Sequence, residues 1–145
     1  ISFLQTLDTT QRAMSDAGKP EGDNYLLKVD NPLVVPVGKK IRIITTADDV
    51  IHAWWVPALG WKQDAIPGLI NEAWTDIKVP GTYRGQCAEL CGKDHGFMPI
   101  VVEVKPKAEF AQWLAAQQNP DAAAAAAAIA TTAEPVAVVA APGQG

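Results

Sequence analysis

From Tyr25 onward the chain alternates short apolar runs with turn-forming residues. The runs are YLLKVD, LVVPV, KIRIITTA, HAWWVP, EAWTDIKV, TYRGQC and IVVEV, rich in β-branched and aromatic side chains. DNP, VGKK, the Pro67-Gly68 pair and PGT separate them. That spacing predicts an all-β sandwich or barrel over residues 24–106. Residues 1–23 are polar and mixed. FLQTLDTTQRAM in that segment predicts a short helix that Gly18 and Pro20 end. Residues 107–118 place Phe110, Trp113 and Leu114 at helical spacing and predict a C-terminal helix, stopped by Asn119-Pro120, with Trp113 in the core. Residues 119–145 are low in complexity, with seven consecutive alanines. They hold too few large apolar groups to offset the entropy of ordering, and read as a flexible Ala/Pro-rich tail.

Composition narrows the function classes. The 145 residues suffice for one domain with a real core. Charged residues make up 19%, the net charge is −4 and no basic stripe occurs, which argues against nucleic acid as a partner. No stretch is long and apolar enough to span a bilayer. The first residues, ISFLQTLDTT, lack an initiator Met, a basic region and an apolar region, so the chain reads as a processed product or fragment, soluble as given.

The chemistry concentrates in YRGQCAELCGKDHGFMPIVVEV, residues 83–104. Cys87, Cys91, His95 and Met98 lie within twelve positions, and Cys87 and Cys91 are the only cysteines in the chain. Two cysteines four apart fit a disulfide, a buried free pair, a redox couple or a metal site. The neighbours favour metal. Gly92 and Gly96 let the loop fold tightly around a centre. One of the two histidines is in this loop, and the other, His52, starts the aromatic strand HAWWVP. Thiolate, imidazole and thioether together select copper rather than structural zinc. A single copper needs one thiolate. Two bridging thiolates would hold two coppers, with one histidine for each, Met98 as a weak ligand on one, and a carbonyl between the cysteines for the other.

CAELCGKDHGFM, with DVIHAWWVPALGWKQDAIPG upstream, resembles subunit II of the haem–copper cytochrome c oxidases. The likeness covers roughly Tyr25 to Trp113, and the flanking VDNPLVVPVGKKIRI, NEAW and MPIVVEV are similar to bacterial members. The resemblance implies a cupredoxin-like Greek-key β-barrel carrying the dinuclear copper A centre. It makes Cys87 and Cys91 bridging thiolates, His52 and His95 imidazole ligands, and Met98 and the Glu89 carbonyl weak ligands. The Glu89 carboxylate is implied to reach a magnesium ion at the boundary with subunit I, and Lys62 and Asp64 match positions facing that subunit. The implied role is electron transfer from cytochrome c to haem in subunit I of a proton-pumping membrane oxidase, on the periplasmic face of a bacterial inner membrane. The oxygen chemistry belongs to subunit I, and the membrane hairpin that anchors the family is absent from this chain. Ala53 stands where the family often has Ser, and Trp61 where an aliphatic residue is usual. No Cys-x-x-Cys-His occurs, so the chain carries no fused haem site.

Asp48 and Asp49, just before His52, and Asp94, just before His95, are candidate docking acids for cytochrome c. Trp54 and Trp55 are adjacent on a strand and should face opposite sides, one toward the core and one toward a partner. Three other readings compete: a copper-delivery or thiol-redox protein using Cys-x3-Cys plus His, a copper A domain of the nitrous oxide reductase type, and a disulfide-stapled binding domain.

Overall fold

The computed structural model describes residues 5–19 and 22–118. The tail expected over residues 119–145 lies outside them. The chain divides into two units, the first running to Phe110 and the second beginning at Ala111. Seven strands dominate the first: β1 (Leu33–Pro36), β2 (Lys40–Thr45), β3 (His52–Trp55), β4 (Lys62–Ala65), β5 (Asn71–Asp76), β6 (Gly81–Cys87) and β7 (Pro99–Lys105). Helix α1 (Thr9–Asp16) precedes them, and α2 (Lys107–Gln118) runs across the division between the units.

The strands form a five-stranded sheet in the order β1-β7-β6-β3-β4 and a two-stranded sheet of β2 and β5. All pairs are antiparallel except β1 with β7. Val35, Val56, Ile77, Ile100, Val102 and Val104 form the core. Ile41 of β2 packs against it from the smaller sheet, as do Trp54 and Tyr83 from the larger. Full burial of one such valine contributes about 1.5–3 kcal/mol, and Val56 and Val102 are the most enclosed of them. Strand β7 has its first four residues buried, so both of its faces are covered. The Gln5 side chain donates to the Val101 carbonyl (2.9 Å) and accepts from its N–H (3.3 Å), one residue before the pairing of β7 with β1 begins at Val102.

The alternating pattern predicts six of the seven strands. It also predicts one over Tyr25–Asp30, where the structure has a turn followed by a single antiparallel bridge between Val29 and Leu7. Asn24 and Leu26 adopt positive φ (60° and 57°), which no strand accommodates. The backbone there bonds instead to the segment before it: Asp8 N–H to the Lys28 carbonyl (3.1 Å), Asp30 N–H to the Thr6 carbonyl (3.1 Å), and Gln11 to both Asn24 and Lys28. Strand β4 was not expected, because KQDA is polar. The N-terminal helix starts later than its apolar residues suggest, at Thr9, where Asp8 caps it by accepting from Gln11 N–H (3.1 Å). Trp113 is half-buried, and no residue of α2 is buried, so the expectation of a core tryptophan there does not hold.

Candidate metal centre

The β3–β6 pairing assembles the site. Trp54 lies opposite Cys87, and His52 lies two residues from Trp54 on the same face. This brings His52 Nδ1 to 3.9 Å from Cys87 Sγ across 35 residues of sequence. Beyond Cys87 the chain stays tied to β3 by Ala88 N–H donating to the Ala53 carbonyl (3.0 Å). Such close pairing needs a glycine two residues earlier. A Cβ on Gly85 would stand 1.9 Å from the Trp55 carbonyl oxygen.

The loop then returns. Gly92 takes φ +120°, which side chains strongly disfavour. A single 3-10 turn, His95–Phe97, follows, with His95 N–H donating to Gly92 (3.2 Å) and Phe97 N–H to Asp94 (2.8 Å). Cys87 N–H closes the loop on the Met98 carbonyl (3.4 Å). As a result Cys91 Sγ lies 3.8 Å from Cys87 Sγ, 3.3 Å from His95 Nδ1 and 3.5 Å from Met98 Sδ. The Cys87 thiol donates to the Glu89 carbonyl (3.3 Å). Both cysteines are free thiols. Each has its own imidazole, and the donor atoms of His52, Cys87 and Cys91 all fall within 4.8 Å of one another.

Electrostatics suit cation binding. His52 Nε2–H donates to Asp49 Oδ1 (2.8 Å), leaving the Nδ1 lone pair facing the thiols. This is the carboxylate–histidine pairing that orients metal-binding imidazoles. The same bond, ahead of all other causes, raises the His52 pKa and lowers that of Asp49. Burial pushes the Cys87 thiol up. Backbone hydrogen bonds at Ala53 and Glu89, with those to His52 and Cys91, outweigh it and bring the pKa down to about 7. Cys91 is raised, by burial first and then by its bond to Cys87. Two close thiols share their titration, and the proton leaves the Cys87 side first. The donor set of two thiols, two imidazoles, a thioether and a carbonyl fits soft or borderline metals such as copper.

Comparisons with known proteins agree with this arrangement. The family model for the periplasmic domain of cytochrome c oxidase subunit II matches residues 6–105. The chain belongs to this family. A probable cytochrome c oxidase subunit 2 of Rickettsia prowazekii is 51% identical over 102 residues, covering 70% of this chain and 33% of that protein. The chain thus spans about a third of that relative. The crystal structure of the periplasmic domain of subunit II of cytochrome oxidase from Bradyrhizobium japonicum matches at 43% identity and a TM-score of 0.70, covering 81% of this chain and 78% of that one. A second solved structure is the mixed disulfide intermediate between a thioredoxin-like protein and subunit II of cytochrome c oxidase. It matches at 45% identity and a TM-score of 0.58, covering 75% and 69%.

The fold of this subunit II domain is therefore the cupredoxin-like barrel that the resemblance implies, with a short C-terminal helix. No helix among the described residues is long and apolar enough to cross a membrane. His52, Cys87, Cys91, His95, Met98 and the Glu89 carbonyl gather at one end of the larger sheet. Of the three acids, Asp48 is exposed, Asp49 is bonded to His52, and Asp94 meets Arg12 at 3.4 Å. Trp54 packs on the core and stacks on Trp61, with ring centroids 5.0 Å apart, while Trp55 is 42% exposed. Trp61 thus fills the space beside β3 as a partner for Trp54. Its Nε1 is buried with no hydrogen-bond partner among the described residues. Sequence reasoning missed two features: the hold of Asp49 on His52, although their spacing of three was visible, and the approach of Arg12, which no local signal announces.

Proposed function

We propose that Cys87, Cys91, His52 and His95, with Met98 and the Glu89 carbonyl, hold a dinuclear copper centre, and that the domain passes single electrons from cytochrome c to subunit I of a membrane oxidase. The observation that carries this reading is the pair of thiols 3.8 Å apart with an imidazole nitrogen beside each. A mononuclear copper site of one thiolate, two imidazoles and a thioether would leave one thiol unused. When bound, a copper pair held by Cys87, Cys91, His52 and His95 would supply a one-electron carrier whose charge is spread over both metals.

The protein's part is to hold these donors still. His52 is fixed from behind by Asp49, and Cys87 by its place at the end of β6. His95 and Met98 are carried by a tight turn closed onto Cys87. Donors fixed in this way move little as the charge changes, which lowers the reorganisation that accompanies electron transfer. The half-buried Glu89 is the candidate for a magnesium ligand at the boundary with subunit I, and Lys62 and Asp64 for contacts across it. The setting is the periplasmic face of a bacterial inner membrane, with anchoring supplied by a membrane hairpin in the full subunit.

A companion reaction is supported by the relative captured in a mixed disulfide with a thioredoxin-like protein. With their sulfurs 3.8 Å apart, Cys87 and Cys91 are close enough for an external two-electron oxidant, such as a disulfide or molecular oxygen, to take two electrons and two protons and join them in a disulfide, which cannot bridge metals. A thioredoxin-like dithiol would restore both thiols, attacking one sulfur to form a mixed disulfide and then resolving it within itself. In this reading the thiol chemistry prepares the site and is not its output.

The deciding experiment is copper stoichiometry with an optical spectrum on the purified domain. Two coppers per chain and a purple oxidised form are expected. One copper per chain with a single intense blue band would overturn the dinuclear centre.

A further inference from the structure

We infer that Arg12 is a positioning residue for the metal centre: from helix α1 it clamps the turn that carries His95 and leads into Met98. Its Nη1 lies 3.4 Å from Asp94 Oδ1, and its guanidinium carbon is 4.8 Å from the centroid of the Phe97 ring. Asp94 and Phe97 bracket His95 and Gly96, so one side chain grips both ends of the turn. Within its own helix Arg12 also pairs through Nε with Asp16, one turn further on, at 3.3 Å, leaving Nη1 for Asp94.

The grip matters because α1 is itself anchored to the strands that frame the loop. Gln11 is 4% exposed, and its amide donates to the Asn24 carbonyl (3.0 Å) and accepts from Lys28 N–H (3.3 Å). Arg84 of β6 donates to the Leu27 carbonyl, and Gln5 holds Val101 of β7 on both sides. Strand β6 ends at Cys87 and β7 begins at Pro99. The helix is thus fixed to the walls of the site, and Arg12 reaches from it to the flap. The turn's own restraints are its single 3-10 turn, one long hydrogen bond to the Met98 carbonyl and the contacts of Cys91 Sγ with His95 and Met98. An exposed ion pair and an exposed cation–π contact are each weak, so together they should restrain opening of the turn by about tenfold rather than lock it. Such a restraint would set how readily the Cys91, His95 and Met98 side of the centre takes up and releases metal, a consequence that rests on the proposed copper site.

Amide hydrogen exchange on the metal-free domain tests the clamp without copper. Arg12→Gln should speed exchange at His95 and Phe97 about tenfold while amides of β3, β6 and β7 stay unchanged. Arg12→Lys, which keeps the charge but loses the planar group over Phe97, should fall between. Asp16→Asn is the control: it removes the intrahelical pair and should leave loop exchange as in the wild type. Unchanged exchange at His95 and Phe97 in Arg12→Gln overturns the clamp. So does an equal effect of Asp16→Asn, which would show that Arg12 acts only within its own helix. In the copper-loaded domain, Arg12→Gln should lose metal to an excess of chelator about tenfold faster. If loop exchange responds as expected but the wild-type domain binds no copper, the clamp stands and the copper reading falls.

Discussion

Asp49 accepts a 2.8 Å hydrogen bond from Nε2 of His52, and that bond turns the opposite ring nitrogen toward the cysteines. A carboxylate at this place fixes both tautomer and ring angle. Removing such a partner typically weakens metal binding 10- to 100-fold, roughly. Asp49→Ala should therefore lose copper affinity by about that factor, and Asp49→Asn, which still offers a carbonyl, by less. Competition against a chelator of known affinity measures it. Equal affinity in all three proteins would show that β3 alone orients the ring.

The bridging role proposed for Cys87 gives it a different signature from that of His52. Loss of a terminal ligand should weaken one metal, whereas loss of a bridge should abolish the pair. Cys87→Ser should bind at most one copper per chain and lose the purple colour, as judged by metal analysis and absorption. A purple, two-copper Cys87→Ser would show that Cys91 alone sustains the pair.

The metal-free thiols should titrate as a coupled pair whose first step lies mainly on Cys87. The Cys87 pKa is brought down to about 7, while that of Cys91 is raised above the ordinary thiol value. Only the thiolate attacks an alkylating agent. As pH rises through about 7, labelling of Cys87 should climb to a plateau while labelling of Cys91 is still rising. Peptide mapping after brief alkylation at a series of pH values reads both sites. Cys87 is the more buried of the two, so its plateau rate can be the lower one. The midpoint of its profile, not the rate, is the test.

How much of this was legible in the sequence differs between the loop and the frame. Five of the six donor groups sit in or beside one twelve-residue stretch, so their chemistry shows in the spacing of Cys87, Cys91, His95 and Met98. His52 is the long-range member of the expected set, and strand pairing of Trp54 with Cys87 brings it beside the loop. Strand β4 escaped because Lys62, Gln63 and Asp64 show no apolar alternation, and only Ala65 of that strand is buried. Tyr25–Asp30 misled because its apolar residues suit a strand while its backbone bonds to side chains and carbonyls of residues 6–11. Arg12 and Asp94 are 82 residues apart, and the fold alone decides that they meet.

Gly85 links the frame to the site. The Trp55 carbonyl occupies the place a Cβ would take, so Gly85→Ala must push β3 and β6 apart. Overpacking of this kind costs about 1–3 kcal/mol. The same β3–β6 pairing brings His52 to Cys87, so copper binding should weaken together with stability. Urea unfolding and chelator competition on the same variant check both. A variant that unfolds at a lower urea concentration yet binds copper as tightly as wild type would separate frame from site.

The acids beside the centre no longer form one uniform docking patch. Asp49 is committed to His52 and Asp94 faces Arg12, so changing either alters the site or its loop as well as the surface. Asp48 is exposed and close in sequence to His52, which makes it the cleaner probe of the proposed docking by a basic cytochrome c. Exposed charge of this kind contributes little to fold stability. It steers encounter with an oppositely charged partner, by ten-fold or more, roughly, for a whole patch, and the effect fades as salt rises. Asp48→Lys should slow electron uptake from a basic cytochrome c several-fold at low salt and converge with wild type at high salt, with copper content unchanged. Stopped-flow reduction across a range of ionic strengths gives the comparison. A wild-type rate that ignores salt, or an Asp48→Lys rate equal to it at low salt, would move the docking contact to the exposed apolar side chains. Trp55 on β3 and Leu90 in the copper loop are 42% and 82% exposed and would then be the residues to change.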